Sequence, residues 1–265
     1  MKKLVFLKLG GSLITDKNVA HQAKSEVIRR IASELVNILH ADPDIHVLVG
    51  HGSGSFGHVP AKKFNTREGV HSPEEWLGFA QVWYEARALN QLVTDLFVEA
   101  GLPVISLPPS AAVIASDGRV QQWGISPIAD ALGHHLVPII QGDAIFDLQR
   151  GGTILSTEEL FIHLAGLLHP DLILIAGSEV GVWEDFPDRN HLVEEITPLD
   201  YPEIAKKIFV SNSVDVTGGM ASKVSAMVDL VTAQPHIRVM IFNPSEPGVL
   251  TSAFAGDRVG TVIHS

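Results

Sequence analysis

Cysteine is absent from the 265-residue chain. That excludes disulfides, thiol nucleophiles and Cys-ligated zinc or iron–sulfur centres, and it fits a reducing compartment. Basic residues are scarce: 19 Lys and Arg stand against 30 Asp and Glu, a formal net charge of −11. A nucleic-acid partner is therefore not expected, because a phosphate backbone needs a basic face. Long apolar runs are missing too. The run after Lys3 is too short for a signal peptide, and no stretch reaches the roughly 20 residues of a membrane span. Charged residues make up only 18% and apolar residues 46%, a balance that supports a large buried core. These features predict a soluble, globular, cytoplasmic enzyme of one domain or two closely joined lobes, with no membrane contact.

What the chain does have is alternation. Short β-branched runs at Leu4–Leu9, Ile45–Val49, Pro103–Leu107, Val137–Ile140, Ala144–Phe146, Leu172–Ala176, Ile237–Phe242 and Val259–Ile263 predict strands. Amphipathic stretches lie between them. Val27, Ile31, Leu35, Ile38 and Leu39 fall at helical spacing within Glu26–His40. Ser72-Pro73-Glu74-Glu75 offers an N-cap, a first-turn proline and acids for a helix that should run to about Ala100, with Gly101 as its stop. Ile128–His134 predicts a short helix, Asp117-Gly118 a hairpin turn, and Ala221–Ala233 a further helix. Ser156-Thr157-Glu158-Glu159 is a capping box for a helix through Leu168. Glu184–Pro198, rich in charge and proline, is expected as a mobile surface excursion. The pattern specifies an α/β protein: a three-layer α/β/α sandwich with a mainly parallel central sheet.

Three glycine-rich turns stand at strand ends or helix starts: Lys8-Leu9-Gly10-Gly11-Ser12, the loop from Gly50 to His58, and Thr217-Gly218-Gly219. Glycine there lets backbone N–H groups approach an anion, and a helix N-terminus adds a favourable dipole. The second turn formally matches a dinucleotide fingerprint at Gly52, Gly54 and Gly57, but it follows the wrong strand. The acids at the expected distance, Glu74 and Glu75, open a helix instead, and no Walker A pattern is present. Lys8, Lys17 and Lys223 each lie beside or just after a glycine turn, as cations for multiple phosphates would. Lys8 is the most telling. It interrupts an apolar strand, where burial without an anionic partner would be expensive.

Taken in order, these segments resemble the amino-acid kinase superfamily, and within it the branch that uses isopentenyl phosphate as acceptor. The resemblance rests on Lys8-Leu9-Gly10-Gly11-Ser12-Leu13-Ile14-Thr15-Asp16-Lys17 and on His51-Gly52-Ser53-Gly54-Ser55-Phe56-Gly57-His58. Gly142-Asp143, Ile154-Leu155-Ser156, Gly181-Val182-Trp183, Asp215-Val216-Thr217-Gly218-Gly219-Met220 with Lys223, and Gly260-Thr261 follow in the same order. His58 is the most specific element. The resemblance implies an ATP-dependent phosphotransferase, with Mg²⁺ entering through ATP and no protein metal site. It implies an acceptor lobe over about 1–170, a nucleotide lobe over about 171–265, and a homodimer.

It also implies roles. Lys8 and Lys223 would contact ATP phosphates, with Gly10, Gly11, Ser12, Gly54, Ser178, Gly181 and Gly219 completing the nucleotide site. Lys17 would neutralise charge between donor and acceptor. Ser53, Gly54, His58, Gly142 and Thr157 would hold the acceptor, His58 donating to its phosphate. A phosphonate such as fosfomycin is an alternative acceptor on the same fold. Ser178-Glu179-Val180-Gly181 departs from the Asp-x-Asp-Gly common in the superfamily. Glu158 has two readings, a first-turn capping acid or the family's site aspartate. An apolar tail pocket is expected from some of Trp76, Phe79, Val82, Trp83, Ala86, Ile140 and Phe146, the others being ordinary core. His134, His135 and His163 lack the spacing of a zinc site.

Overall fold

A computed structural model describes residues 3–211 and 219–265. Asp215-Val216-Thr217-Gly218, part of the third glycine turn, lies outside the described residues.

Eight strands form the main sheet. From one edge to the other they are Glu195–Ile196, Gly260–Ile263, Arg238–Phe242, Leu172–Ala176, Lys3–Leu9, Ile45–His51, Val137–Gln141 and Val104–Ser106. All neighbours are parallel except Arg238–Phe242 with Gly260–Ile263. Strands buried on both faces need apolar residues at every position, which is why they appear as continuous runs. The period of two then divides them between layers. Val5, Leu7 and Leu9 pack with Ile31, Leu35, Val93 and Phe97 from the helices Ser25–Ala41 and Pro73–Glu99. Phe6, Ile173 and Ile175 pack with Phe161, Leu164, Val224 and Val228 from Thr157–Leu168 and Gly219–Ala233. The expected three-layer sandwich is present, and Lys8 falls on the Phe6 face.

Several local expectations are met. Ser72 accepts from Glu75 N while Glu75 returns to the Ser72 backbone, and Pro73 begins a 27-residue helix. Others change. Ala144–Phe146 is not in the main sheet. It belongs to a four-stranded sheet made of Arg119–Trp123, Val113–Ser116, Asp143–Asp147 and Gly151–Leu155. The Asp147 carboxylate accepts backbone N–H groups from Asp117, Gly118, Gln149 and Arg150 at 2.7–3.1 Å, joining the expected Asp117-Gly118 hairpin turn to the turn after Asp147, a link no periodicity could reveal. The segment from Gly50 to His58 is not all loop either, since a helix, Gly54–Phe64, begins within it. Glu184–Pro198 is more than an excursion. Leu192–Val193 pairs with Val182–Trp183, and Glu195–Ile196 is the edge strand of the main sheet.

Candidate active site

The strands Lys3–Leu9, Ile45–His51 and Leu172–Ala176 are adjacent and parallel, so their carboxyl ends open on one edge, where open α/β sheets hold ligands. Their turns are tied together. Gly10 N donates to Ala176 O at 2.8 Å, and Gly52 N donates to Leu9 O at 3.1 Å. A Cβ on Gly11 would stand 2.6 Å from the Gly54 backbone. Gly54 has φ +51, and its own Cβ would lie 2.2 Å from Thr15 Oγ1. Only glycine fits at either place. Thr15 Oγ1 donates to Gly11 O at 2.7 Å and accepts from Ser55 N at 3.0 Å, which locks the two turns. Thr15 was within the opening motif, but no sequence signal marked this role.

Behind these turns lies the charge cluster. Lys8, 5% exposed, is ion-paired with Glu158, 7% exposed, from the first turn of Thr157–Leu168. Lys223, one turn into Gly219–Ala233, reaches the same carboxylate at 3.8 Å. Burial pushes the Lys8 pKa down and the Glu158 charge pulls it back. Burial would raise Glu158, but the charges of Lys8 and Lys223 outweigh it and hold the carboxyl at about 2. Lys8 lies on an inner strand, so it is no edge charge. The two readings of Glu158 are now separable. Ser156 Oγ accepts from Glu159 N, and Glu159 Oε2 accepts from Ser156 N. The cap is complete without Glu158, whose carboxylate holds the two lysines instead. With two cations on one anion, the cluster presents net positive charge to the opening.

Lys17 does not share this carboxylate. It is exposed and lies within electrostatic range of Glu179, which Arg189 grips with two bonds of 2.9 Å and Trp183 Nε1 reaches at 3.1 Å. Lys17 thus lies close enough to Glu179 for its charge to be felt there. Ser12 and Ser178 span the mouth between the turn after Lys3–Leu9 and the turn after Leu172–Ala176, their hydroxyls 3.3 Å apart. At Gly181 a Cβ would sit 2.6 Å from Thr261 Oγ1. Gly219 starts the helix that carries Lys223.

On the opposite side, Ser53 precedes the helix Gly54–Phe64, and His58 stands exposed in its second turn rather than at a loop end. His58, Val59, Lys62 and Lys63 line a shallow depression of about 400 Å³. Four residues apart, His58 and Lys62 share a helix face. Gly142 N and Thr157 Oγ1 both donate to the His51 carbonyl, at 3.0 and 2.7 Å, so the Thr157 hydroxyl is committed within the fold. Of the expected tail-pocket residues, Phe79 and Val82 form a small core with Val70 and Ala144. Trp76, Phe79 and Phe146 make an aromatic triad with ring centroids 5.2–5.9 Å apart, Phe79 buried and the other two partly open to solvent. Trp83 donates to Ser110, whereas Ile140 belongs to the other layer's core.

No group of three or more His, Asp or Glu able to hold a metal occurs among the described residues. No helix among them is long and apolar enough to cross a membrane. A cavity of about 300 Å³ lined by His236, Arg238, Arg258 and His264 opens at the start of Arg238–Phe242 and the end of Gly260–Ile263.

The chain is similar to known proteins over nearly its whole length. The chain is 32% identical to the isopentenyl phosphate kinase of Methanocaldococcus jannaschii over 98% of each chain. It is 31% identical to that of Methanothermobacter thermautotrophicus over 97% of each. A solved structure of an isopentenyl phosphate kinase, 28% identical, superposes with a TM-score of 0.83 over 98% of this chain and 99% of the other. Residues 3–243 match the amino acid kinase family, and the chain belongs to it.

Proposed function

We infer that the protein transfers the γ-phosphoryl group of ATP to isopentenyl phosphate, releasing ADP and isopentenyl diphosphate. The observation that carries this reading is the Lys8–Glu158–Lys223 cluster at the meeting of the glycine turns, in a chain whose full-length relatives bear that activity in their names. Phosphoryl transfer chiefly requires positioning and cations aimed at the transferring group. The acceptor's attacking oxygen is already ionised near neutral pH, so no general base is needed. The difficulty is bringing two anions together. Lys8 and Lys223 stabilise the transferring phosphoryl and Lys17 neutralises charge between donor and acceptor. Gly10, Gly11, Ser12, Gly54, Ser178, Gly181 and Gly219 surround the nucleotide. His58 donates to the acceptor phosphate, with Ser53, Gly54, Gly142 and Thr157 shaping its seat.

Mg²⁺ would arrive with the nucleotide, whose phosphates supply the hard oxygen ligands it prefers and whose charge it would help to neutralise. The acceptor lobe spans residues up to about 170, which also lend Lys8, Gly10, Gly11, Ser12 and Gly54 to the nucleotide, and the nucleotide lobe is the remainder. The protein acts in the cytoplasm as a homodimer. Support for a second copy comes from the outer face of Pro73–Glu99, where Leu77 and Tyr84 are 67% and 63% exposed beside Trp83. Sedimentation of a monomer at micromolar concentration would remove the dimer. The activity is tested by ADP release with isopentenyl phosphate, fosfomycin, acetylglutamate and UMP. Turnover should be fastest with isopentenyl phosphate, and preference for another acceptor would overturn the assignment.

A further inference from the structure

His51 ends the strand Ile45–His51 and is fully buried against the layer that contains Pro73–Glu99. Its Nδ1 lies 3.1 Å from the carbonyl oxygen of Gly52, and its Nε2 lies 3.0 Å from the side-chain amide of Asn90. That amide is in turn 2.6 Å from Ser106 Oγ. Asn90 sits on Pro73–Glu99 and Ser106 on the edge strand Val104–Ser106, so three elements meet at one buried polar chain. Burial pushes the His51 pKa below its ordinary value, which leaves a neutral ring with one N–H. In the structure Asn90 Oδ1 faces His51 Nε2 and Asn90 Nδ2 donates to Ser106 Oγ. A neutral ring giving its one N–H to that oxygen would leave Nδ1 and Gly52 O as two facing acceptors. One arrangement satisfies every group. With the amide turned over, Ser106 O–H donates to Asn90 Oδ1, Asn90 Nδ2–H donates to His51 Nε2, and His51 Nδ1–H donates to Gly52 O.

We propose that His51 is a positioning residue for phosphoryl transfer: Ser106 and Asn90 fix its tautomer, and its Nδ1–H holds the Gly52 carbonyl so that the Ser53 N–H faces the reacting phosphates. The step from carbonyl to N–H follows from the planar trans peptide, in which the Gly52 C=O and the Ser53 N–H point opposite ways. Along Ile45–His51, side chains alternate between layers. Val47 and Val49 share the His51 layer, whereas Gly50 meets Thr157 and Phe161 on the other side. That other side is where Lys8, Glu158 and Lys223 meet. Pulling the Gly52 carbonyl toward His51 therefore turns the Ser53 N–H toward the lysines. The His51 carbonyl is fixed as well, by Gly142 N and Thr157 Oγ1. Ring and backbone together leave this peptide little freedom to rotate, which is what a preorganised anion donor requires.

The inference rests on the proposed phosphotransfer, but one of its tests does not depend on activity. Nitrogen NMR of histidine-labelled protein should show the His51 ring as the Nδ1–H tautomer, and the Nε2–H tautomer would overturn the relay. In the ADP-release assay His51→Leu should lower kcat about tenfold or more, with the KM for ATP nearly unchanged. His51→Asn, whose amide nitrogen stands near the position of Nδ1, should recover most of that loss. Asn90→Leu added to His51→Leu should cost little further, since Asn90 acts through the ring. Equal damage in His51→Leu and His51→Asn, in step with loss of Tm, would reduce His51 to a structural brace. Wild-type protein inert toward isopentenyl phosphate would defeat the functional reading alone, because the tautomer still reports on the relay.

Discussion

Replacing Glu158 by glutamine tests the cluster most directly. The change is nearly isosteric and leaves the Ser156–Glu159 cap intact, so its effect is one of charge. The carboxyl stands at about 2 in the fold against 4.5 for a free glutamate. A folded value below the unfolded one stabilises fully above pH 4.5, and that contribution is lost as pH falls toward 2. The difference amounts to about 3 kcal/mol, the lower end of what removing one partner from a buried pair costs. For a chain of this size that is roughly 6–12 °C in Tm. Thermal unfolding from pH 2 to 8 should show Glu158→Gln below wild type by this amount near neutrality, with the two curves converging in acid. Catalysis should suffer separately. Lys8 and Lys223 lose the anion that aims them, so kcat should fall tenfold or more, with ATP binding kept or tightened by the extra positive charge. A variant with wild-type Tm, the same acid limb and unchanged kcat would refute the claim that Glu158 organises the lysines.

Lys8→Ala and Lys223→Ala should each lower kcat by roughly a hundredfold or more, and wild-type turnover in either folded variant would remove that residue from the mechanism. His58→Ala should impair turnover of isopentenyl phosphate while ATP binding measured without acceptor stays nearly unchanged, and His58→Gln should retain part of the activity. Equal weakening of both ligands would overturn the acceptor contact. Asp143, buried beside the Ser110 backbone, is raised by burial to about 6 from 3.8. Its contribution is full below pH 3.8 and lost as pH rises through 6, so Asp143→Asn should flatten stability across that window. An unchanged slope in a pH series of Tm would reject this.

Lys8 shows why part of the candidate site was legible in the sequence. A lone charge in an apolar strand has few ways to be tolerated, and its position in the period of two fixes the layer it enters. The main sheet was legible on the same ground, because strands covered on both faces must be apolar throughout. Partners at long sequence distance left no such mark. Glu158 is 150 residues from Lys8 by subtraction of their positions, and its place beside Ser156 matches a cap it does not make. In the second sheet one carboxylate, Asp147, collects N–H groups from two turns, and polar geometry of that kind has no period. The helix Gly54–Phe64 was hidden for a different reason. Gly54, Gly57 and Pro60 disfavour a helix locally, yet Gly54 is required by its contact with Gly11 and Thr15. A Cβ at Gly57 would meet Ser53 at 2.8 Å. Residues chosen for close approach between turns override helix propensity there. The sequence therefore resembles a loop at the very place where packing makes it a helix, and His58 gains a fixed direction from that helix that a loop would not give it.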